Sequence, residues 1–390
     1  MTEGQKLLLV LVLLYLFDCV LWVGARTVLF AAPWCRKWRG RFAGPHLGNR
    51  DGSVALGNPL PPLGAVFAAH WFPISLSPIG VCGLNLQALG GAHRCCQSGR
   101  VFGYEDIDQV EAEGKHLLIN GERFAKCESF DQAGRLAKLV EELKAASAGK
   151  REALLRHSLA ARFDTERARE RLKMANHQVG GIRLCCLVFF AYLYVILPVL
   201  VCKHGLTSHM ISAAAIILFS TALICLQFFL GHRKLHPQAG FERTGDVVKM
   251  MLCPPAAIRA HDQLSMNAMS EFHPILLAHL LQAEGRDALA GGMVRDLSHP
   301  LPHGLDDPQA KGIVSWHAQA ELAACAAFLQ SVGTTTMAGL RGAPAWDGHA
   351  SKYCPRCLGQ FKTDAPECPD CPGVALLPVD STPNSETNHA

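Results

Sequence analysis

The chain has 390 residues, 49% of them hydrophobic and 18% charged, with a formal net charge of +4. A typical soluble domain carries roughly 25% charged residues, so a membrane class is tested first, and the mild net charge excludes a dedicated nucleic-acid binder, which would show a strongly basic face. The cysteines are scattered, with adjacent pairs at Cys95-Cys96 and Cys185-Cys186 and several in apolar runs; this is the distribution of buried or free thiols in a reducing compartment, not of a disulfide framework.

The first element is the apolar run from Lys6 to Ala32. Its uninterrupted part, about 17 to 25 residues, can cross a hydrocarbon core of roughly 30 Å. The basic cluster follows the run instead of preceding it, so a span is expected and not a cleaved leader. Asp18 and Arg26 lie in or at the edge of this span, eight residues apart and so on roughly one helix face. Intramembrane charge flags function; interfacial snorkelling for Arg26 and helix packing for Asp18 are the plainer roles.

Residues 50–148 read as an α+β module. Asn58 to Pro78 holds too many prolines for a membrane helix and breaks into short apolar runs, as strands do. Strands are predicted at 107–111, 115–119 and 122–127. Asn120-Gly121 joins the last two as a type I′ turn, which requires positive φ at both positions. Ser129 with Gln132 fits a capping box, and Ala133, Leu136, Val140 and Leu143 form one stripe, predicting a helix over 130–147. In topology alone, the last strands and this helix resemble the closing half of a pleckstrin-homology-like fold.

A charged helix is expected over Lys150–Gln178, with Arg151, Arg156, Arg162, Arg167, Arg169, Arg171 and Lys173 outnumbering its acids. Such a helix is either drawn to anionic headgroups or laced by pairs such as Glu166 with Arg169. The second span follows over 182–203 and the third over 209–230. The short KHGLTSH connection fits an antiparallel helical hairpin, and Pro198 can kink the second span. Basic residues set the orientation: Arg36, Lys37, Arg39, Arg41, Arg183, Arg233 and Lys234 lie at one set of span ends, against Lys6 and Lys203 at the other. The N-terminus is therefore expected outside and the C-terminus in the cytoplasm of an inner (plasma) membrane.

Residues 241–331 read as a cytoplasmic module of short helices broken at Pro254-Pro255, Pro274, Gly291-Gly292 and the HPLPHGLDDP loop. The clearest helix is Lys311 to Gly333, with Ala318, Leu322, Cys325, Ala326 and Leu329 on one face. A linker is expected at 332–350, a metal-held segment at 351–377 and a disordered tail at 378–390.

The metal-held segment carries the most specific pattern. Cys354-x-x-Cys357 and Cys368-x-x-Cys371 are separated by ten residues. Each CxxC turn puts two thiolates on one side of a knuckle, and four thiolates at about 2.3 Å satisfy a tetrahedral zinc ion with no open position. Pro355, Pro369, Phe361, Val374 and Leu376 complete a segment that resembles the short zinc ribbons appended to many bacterial proteins. It departs from the common form at Leu358 and Pro372, where a glycine usually follows each knuckle. The resemblance implies structural zinc; rubredoxin-like iron would use the same thiolates. Nearby Lys352, Arg356 and Lys362 are offset by Asp364, Glu367 and Asp370, which argues again against nucleic acid.

A second constellation is His261, His273, His279, His299, His303, Asp306, Asp307 and His317, with His317 and Glu321 at i,i+4. A catalytic metal would need two or three of these to converge. The sequence has no Walker loop, no nucleophile elbow and no dinucleotide fingerprint. The expected fold class is thus a multi-pass α-helical membrane protein with three spans, a cytoplasmic α+β module, a cytoplasmic helical module and a C-terminal zinc ribbon. Its expected partners are the lipid bilayer and an unidentified protein, as a scaffold or regulator and not an enzyme. A membrane-associated metal-dependent hydrolase using the His/Asp set is the rival. A transport role resting on Asp18 and Arg26 would require a homo-oligomer.

Overall fold

The computed structural model describes residues 1–24, 27–29, 53–57, 66–70, 73–89, 93–127, 129–205, 210–237, 239–266, 268–282, 285–333, 337–345, 348–362 and 364–379. The Asp18 side chain, Arg26, the basic cluster 36–41, the Cys95 and Cys96 side chains and most of the tail lie outside the described residues.

Three long helices form the apolar part. Helix α1 spans Glu3–Gly24. After strands β1 (Thr27–Leu29), β2 (Ser53–Gly57), β3 (Val66–His70), β4 (Ser75–Ser77), β5 (Gly80–Leu89), β6 (His93–Gly103), β7 (Val110–Glu113), β8 (His116–Ile119) and β9 (Glu122–Lys126) come α2 (Phe130–Ala145) and α3 (Ala148–Ala161). Helix α4 then runs unbroken over Thr165–His204, 40 residues, and α5 spans Met210–Leu235. Helices α4 and α5 are each long and apolar enough to cross a membrane, and 39% and 22% of their apolar windows are buried against protein. Leu187, Val188, Val195, Phe219 and Leu226 stand exposed instead.

Helix α1 packs antiparallel to α4. A Cβ on Gly4 would come within 2.4 Å of Cys202 Sγ and 2.6 Å of Pro198 O, Tyr194 donates its hydroxyl to Leu11 O at 3.2 Å, and the Tyr15 ring lies 5.8 Å from Phe190. Only glycine permits so close a crossing at the first contact. The start of the chain thereby sits at the same end as the α4–α5 connection. Residues Tyr192–Ile196 form a π-helical turn directly before Pro198, with Leu197 N bonded to Tyr192 O. Pro198 has no N–H to give the carbonyl of Tyr194, and the widened turn absorbs the mismatch.

The expected charged helix over 150–178 is two helices. The chain breaks at Arg162–Asp164, where Asp164 caps α4 by accepting from Arg167 N at 3.0 Å, while Phe163 turns inward and stacks on His273 at 4.4 Å. A cap and a buried aromatic outweigh the helix propensity of the charged run. The second half is continuous with the apolar part of α4 and, of the expected pairs, forms Glu166–Arg169 at 2.6 Å.

In the α+β region β4, β5 and β6 form one antiparallel sheet and β7, β8 and β9 another. Asn120 and Gly121 have φ of 53° and 79°, the type I′ signature. Ser129 Oγ accepts from Gln132 N at 3.1 Å, and Ala133, Leu136, Val140 and Leu143 of α2 are buried with Leu117 and Ile119 of β8.

The helical region begins with α6 (Gly240–Leu252), a 3-10 turn at Pro254–Arg259 and α7 (Ala260–Met266). It continues with α8 (Pro274–Leu280), α9 (Arg286–Ser298), α10 (Pro308–Ser331) and α11 (Met337–Arg341). Gly291-Gly292, expected to break the chain, lies inside α9. Gly291 leaves room for the Arg295 guanidinium, since a Cβ there would meet Arg295 Nη1 at 2.9 Å. The α+β and helical regions share a core through α10: Ala310, Ile313 and Val314 bury Cys82 of β5. They are not two separately packed bodies.

Candidate metal centre

The C-terminal ribbon is a three-stranded antiparallel sheet with β10 (Lys352–Tyr353) between β11 (Gln360–Phe361) and β12 (Leu377–Pro378). Two turns project from it and bring Cys354, Cys357, Cys368 and Cys371 together, all buried, with their sulfur atoms within 4.8 Å of one another. Cys357 Sγ lies 3.9 Å from Cys368 Sγ. A tetrahedral ion with metal–sulfur bonds of about 2.3 Å requires about 3.8 Å between sulfurs. The donor set therefore fits a four-thiolate metal ion.

Local chemistry builds each knuckle. Cys357 N points at Cys354 Sγ at 3.5 Å and Gly359 N at Cys357 Sγ at 3.4 Å, donors that favour thiolate over thiol. The turn after the first knuckle needs a left-handed residue, and Leu358 adopts it with φ of 60°. Proline cannot do so at 372, so the left-handed position moves to Gly373, with φ of 82°. The Cys354 thiol is held far below its ordinary value, first by hydrogen bonds from the Cys357 and Cys371 thiols. Val374 and Leu376 are buried behind the knuckles, with Phe361 packed against them.

The ribbon is seated and not tethered. Arg356 Nε binds Asp296 Oδ1 of α9 at 3.0 Å, Arg295 donates from Nε to Arg356 O at 3.3 Å and from Nη1 to Leu340 O at 3.1 Å, and Gln360 donates to Ala345 O at 2.7 Å. A divalent ion held by four thiolates would carry a net charge of about −2, and burial lowers the titration of Arg295 beside the site, with Cys357 near enough to oppose that shift. The expected linker thus contains α11 and a docking surface.

The His/Asp constellation does not converge on one point. His303, Asp306 and Asp307 are exposed, and Asp307 caps α10 by accepting from Gln309 N at 2.8 Å. His279 sits edge-on to Phe328, His299 lies beside the ribbon, and His261 is buried against the Ile258 carbonyl at 3.1 Å. Only His273 and His317 meet, and Glu321 joins them. Glu321 Oε1 is 3.2 Å from His273 Nε2 and 3.3 Å from Arg162 Nη1, while Oε2 is 3.9 Å from His317 Nε2. His273 accepts at Nδ1 from Ile275 N at 3.2 Å, so its proton is on Nε2, facing Glu321.

This cluster is enclosed. Burial pushes the His273 imidazole down to about 4, against the pull of Glu321. Burial also opposes ionisation of Glu321, but the hydrogen bond from His273 and the charge of Arg162 win and hold it down at about 2. Burial raises the Cys325 thiol well above its ordinary value, leaving no thiolate beside His273. The result is a neutral histidine bracing a buried Arg162–Glu321 ion pair, which ties α3 to α8 and α10.

Sequence reasoning misses two groups. Arg162 reads as part of a solvated charged face, and its partner is 159 positions away. His232 and His236, one turn apart at the end of α5, lie with ring centroids 4.9 Å apart and planes tilted by 55°, and His236 Nδ1 is 2.8 Å from Asp131 Oδ2; the H-x-x-x-H spacing is the signal that flags them. A cleft of about 180 Å³ is lined by Arg135, Arg167, Ser270 and Glu271, where Arg135 donates to Ser270 Oγ and Arg167 pairs with Glu271. Comparison of the chain with models of protein families, with curated proteins and with solved structures finds no match.

Proposed function

We propose that the chain is a three-span protein of the inner (plasma) membrane, N-terminus outside and C-terminus cytoplasmic, that acts as a scaffold or regulator through protein contacts on the cytoplasmic face. The antiparallel pairing of α1 with α4 supports the third span, since it puts the start of the chain level with the α4–α5 turn. Zinc is the resident ion in this reading: the four-thiolate set offers a closed, redox-silent tetrahedral site, and a ribbon this small takes its folding energy from the metal.

The observation that carries the scaffold reading is the clamp of the ribbon onto α9 by Arg356–Asp296. It makes ribbon and helices one cytoplasmic surface. The test uses full-length protein in native membranes, with crosslinking mass spectrometry and elemental analysis. One zinc per chain, lost together with the ribbon-facing crosslinks when Cys368 and Cys371 become serine, supports the reading. Crosslinks that persist unchanged in that variant refute it, and a second metal retained there would favour the hydrolase.

A further inference from the structure

The stretch from Leu235 to Ala268 leaves the end of α5 and returns to it. One guanidinium marks both ends: Arg171 of α4 donates from Nη2 to Leu235 O at 2.6 Å and from Nε to Ala268 O at 3.0 Å. The middle of the stretch sits far from that level. Cys186 Sγ donates to Ala257 O at 3.3 Å, and Cys186 is fifteen residues beyond Arg171 on the same helix, about 22 Å along its axis. Helix α6, with 13 residues, is about 20 Å long and makes the descent. The turn at Pro254-Pro255 reverses the chain, and α7 climbs back, setting Leu264 where a Cβ on Gly231 of α5 would come within 3.0 Å.

The same contacts give the depth. Gly231 faces Gln178, at 4.0 Å from the position of its missing Cβ, and the apolar run of α5 ends at Leu230, before Gly231-His232-Arg233-Lys234. The hydrocarbon edge therefore falls near residue 179 of α4. Cys186, and the turn that binds it, lies seven residues farther in, about 10 Å.

Composition follows that depth. Glu242, Arg243 and Asp246 lie in the upper part of α6, and Lys249 turns back to Asp246 at 3.0 Å. From Met250 to Ile258 no residue is charged, and the first charges past the turn, Arg259 and Asp262, are both buried in the protein and lie 3.7 Å apart, turned away from lipid. A helix in water would cover its apolar side, yet Val248, Met251 and Leu252 are exposed, Leu252 at 82%. Irregular backbone at such depth must be satisfied internally. Pro254 and Pro255 carry no N–H, Ala256 N bonds Cys253 O at 2.8 Å, and Cys186 supplies the donor for Ala257 O.

We propose that residues 240–268 form a re-entrant hairpin in the cytoplasmic leaflet, with the Pro254-Pro255 turn among lipid acyl chains. The proposal rests on α4 and α5 crossing the bilayer, and it places in lipid a segment that the sequence assigns to the cytoplasm. The test encodes a photo-crosslinking amino acid at one position at a time in the full-length protein in liposomes. Leu252 is the probe, Val199 of α4 the membrane control and the exposed Lys138 of α2 the aqueous control. Lipid adducts at Leu252 should match those at Val199 and exceed those at Lys138 by about tenfold, since hydrocarbon is the medium there. Adducts at Val199 with none at Leu252 overturn the hairpin alone. Adducts at neither position overturn the spanning reading and the hairpin with it.

Discussion

Replacing Glu321 with glutamine removes the negative charge facing Arg162 and leaves the hydrogen bond from His273 an acceptor. The side chains of Arg162 and Glu321 are 9% and 7% exposed, so the guanidinium left behind cannot recover its hydration. Stranding one member of a buried pair costs about 3–5 kcal/mol, whereas replacing both by apolar residues of similar size is close to neutral. Hydrogen exchange reads this locally: amides of α8 and α10 that open together should exchange about a hundredfold faster in Glu321→Gln. The double variant Arg162→Met with Glu321→Gln, which removes both charges and keeps an acceptor for His273, should restore most of the protection. A change under about threefold in the single variant, or a double variant as labile as the single, would show that the pair does not hold α3, α8 and α10 together.

The remaining expectations concern pH, the ribbon and the helix pairing. The folded His273 resists protonation down to about 4 against an ordinary 6.5, so the unfolded chain binds more protons in that window and stability falls as pH drops from 6.5 to 4. The loss is on the order of 3 kcal/mol and continues as Glu321 resists protonation below 4.5; a melting temperature flat from pH 7 to 4 would contradict it. Cys368→Ser should abolish stoichiometric metal and expose 342–362 to limited proteolysis, with α10 protected. Arg356→Ala should keep the metal and release the ribbon from α9, seen as faster exchange around Leu340. Thr2→Cys should form a disulfide with Cys202 on mild oxidation, because Thr2 Oγ1 already lies 3.4 Å from Cys202 Sγ; failure to crosslink would count against the α1–α4 pairing.

Features set by neighbouring residues are legible in the sequence. The four cysteines, the Asn120-Gly121 turn, the Ser129 cap and the α2 stripe each depend on contacts within about twenty residues. The departure at Leu358 and Pro372 is legible too, although its resolution is not: one knuckle strains a leucine into the left-handed region and the other passes the duty to Gly373. Long-range pairing hides the rest. Arg162 looks like one more solvated arginine because Glu321 reaches it from a distant helix. Gly291-Gly292 looks like a break because the Leu340 carbonyl, which draws the Arg295 guanidinium across Gly291, belongs to another element. The prolines at 254 and 255 mark where the helices after α5 divide, but only the bonds of Arg171 and Cys186 reveal which way α6 runs.

The unbroken 40 residues of α4 make one rod about 60 Å long. Its charged first third carries Arg167 and Arg171, which grip Glu271, Ala268 and Leu235, while its widened turn lies at Tyr192–Ile196 within the apolar part. In the spanning reading proposed above, that turn is the joint of the rod and lies in the lipid. A tilt of about 10° at that joint would carry Thr165, roughly 40 Å away, sideways by about 7 Å. In that same reading, changes in bilayer thickness or lateral pressure that bend the joint would displace the helices and ribbon packed at the charged end of α4.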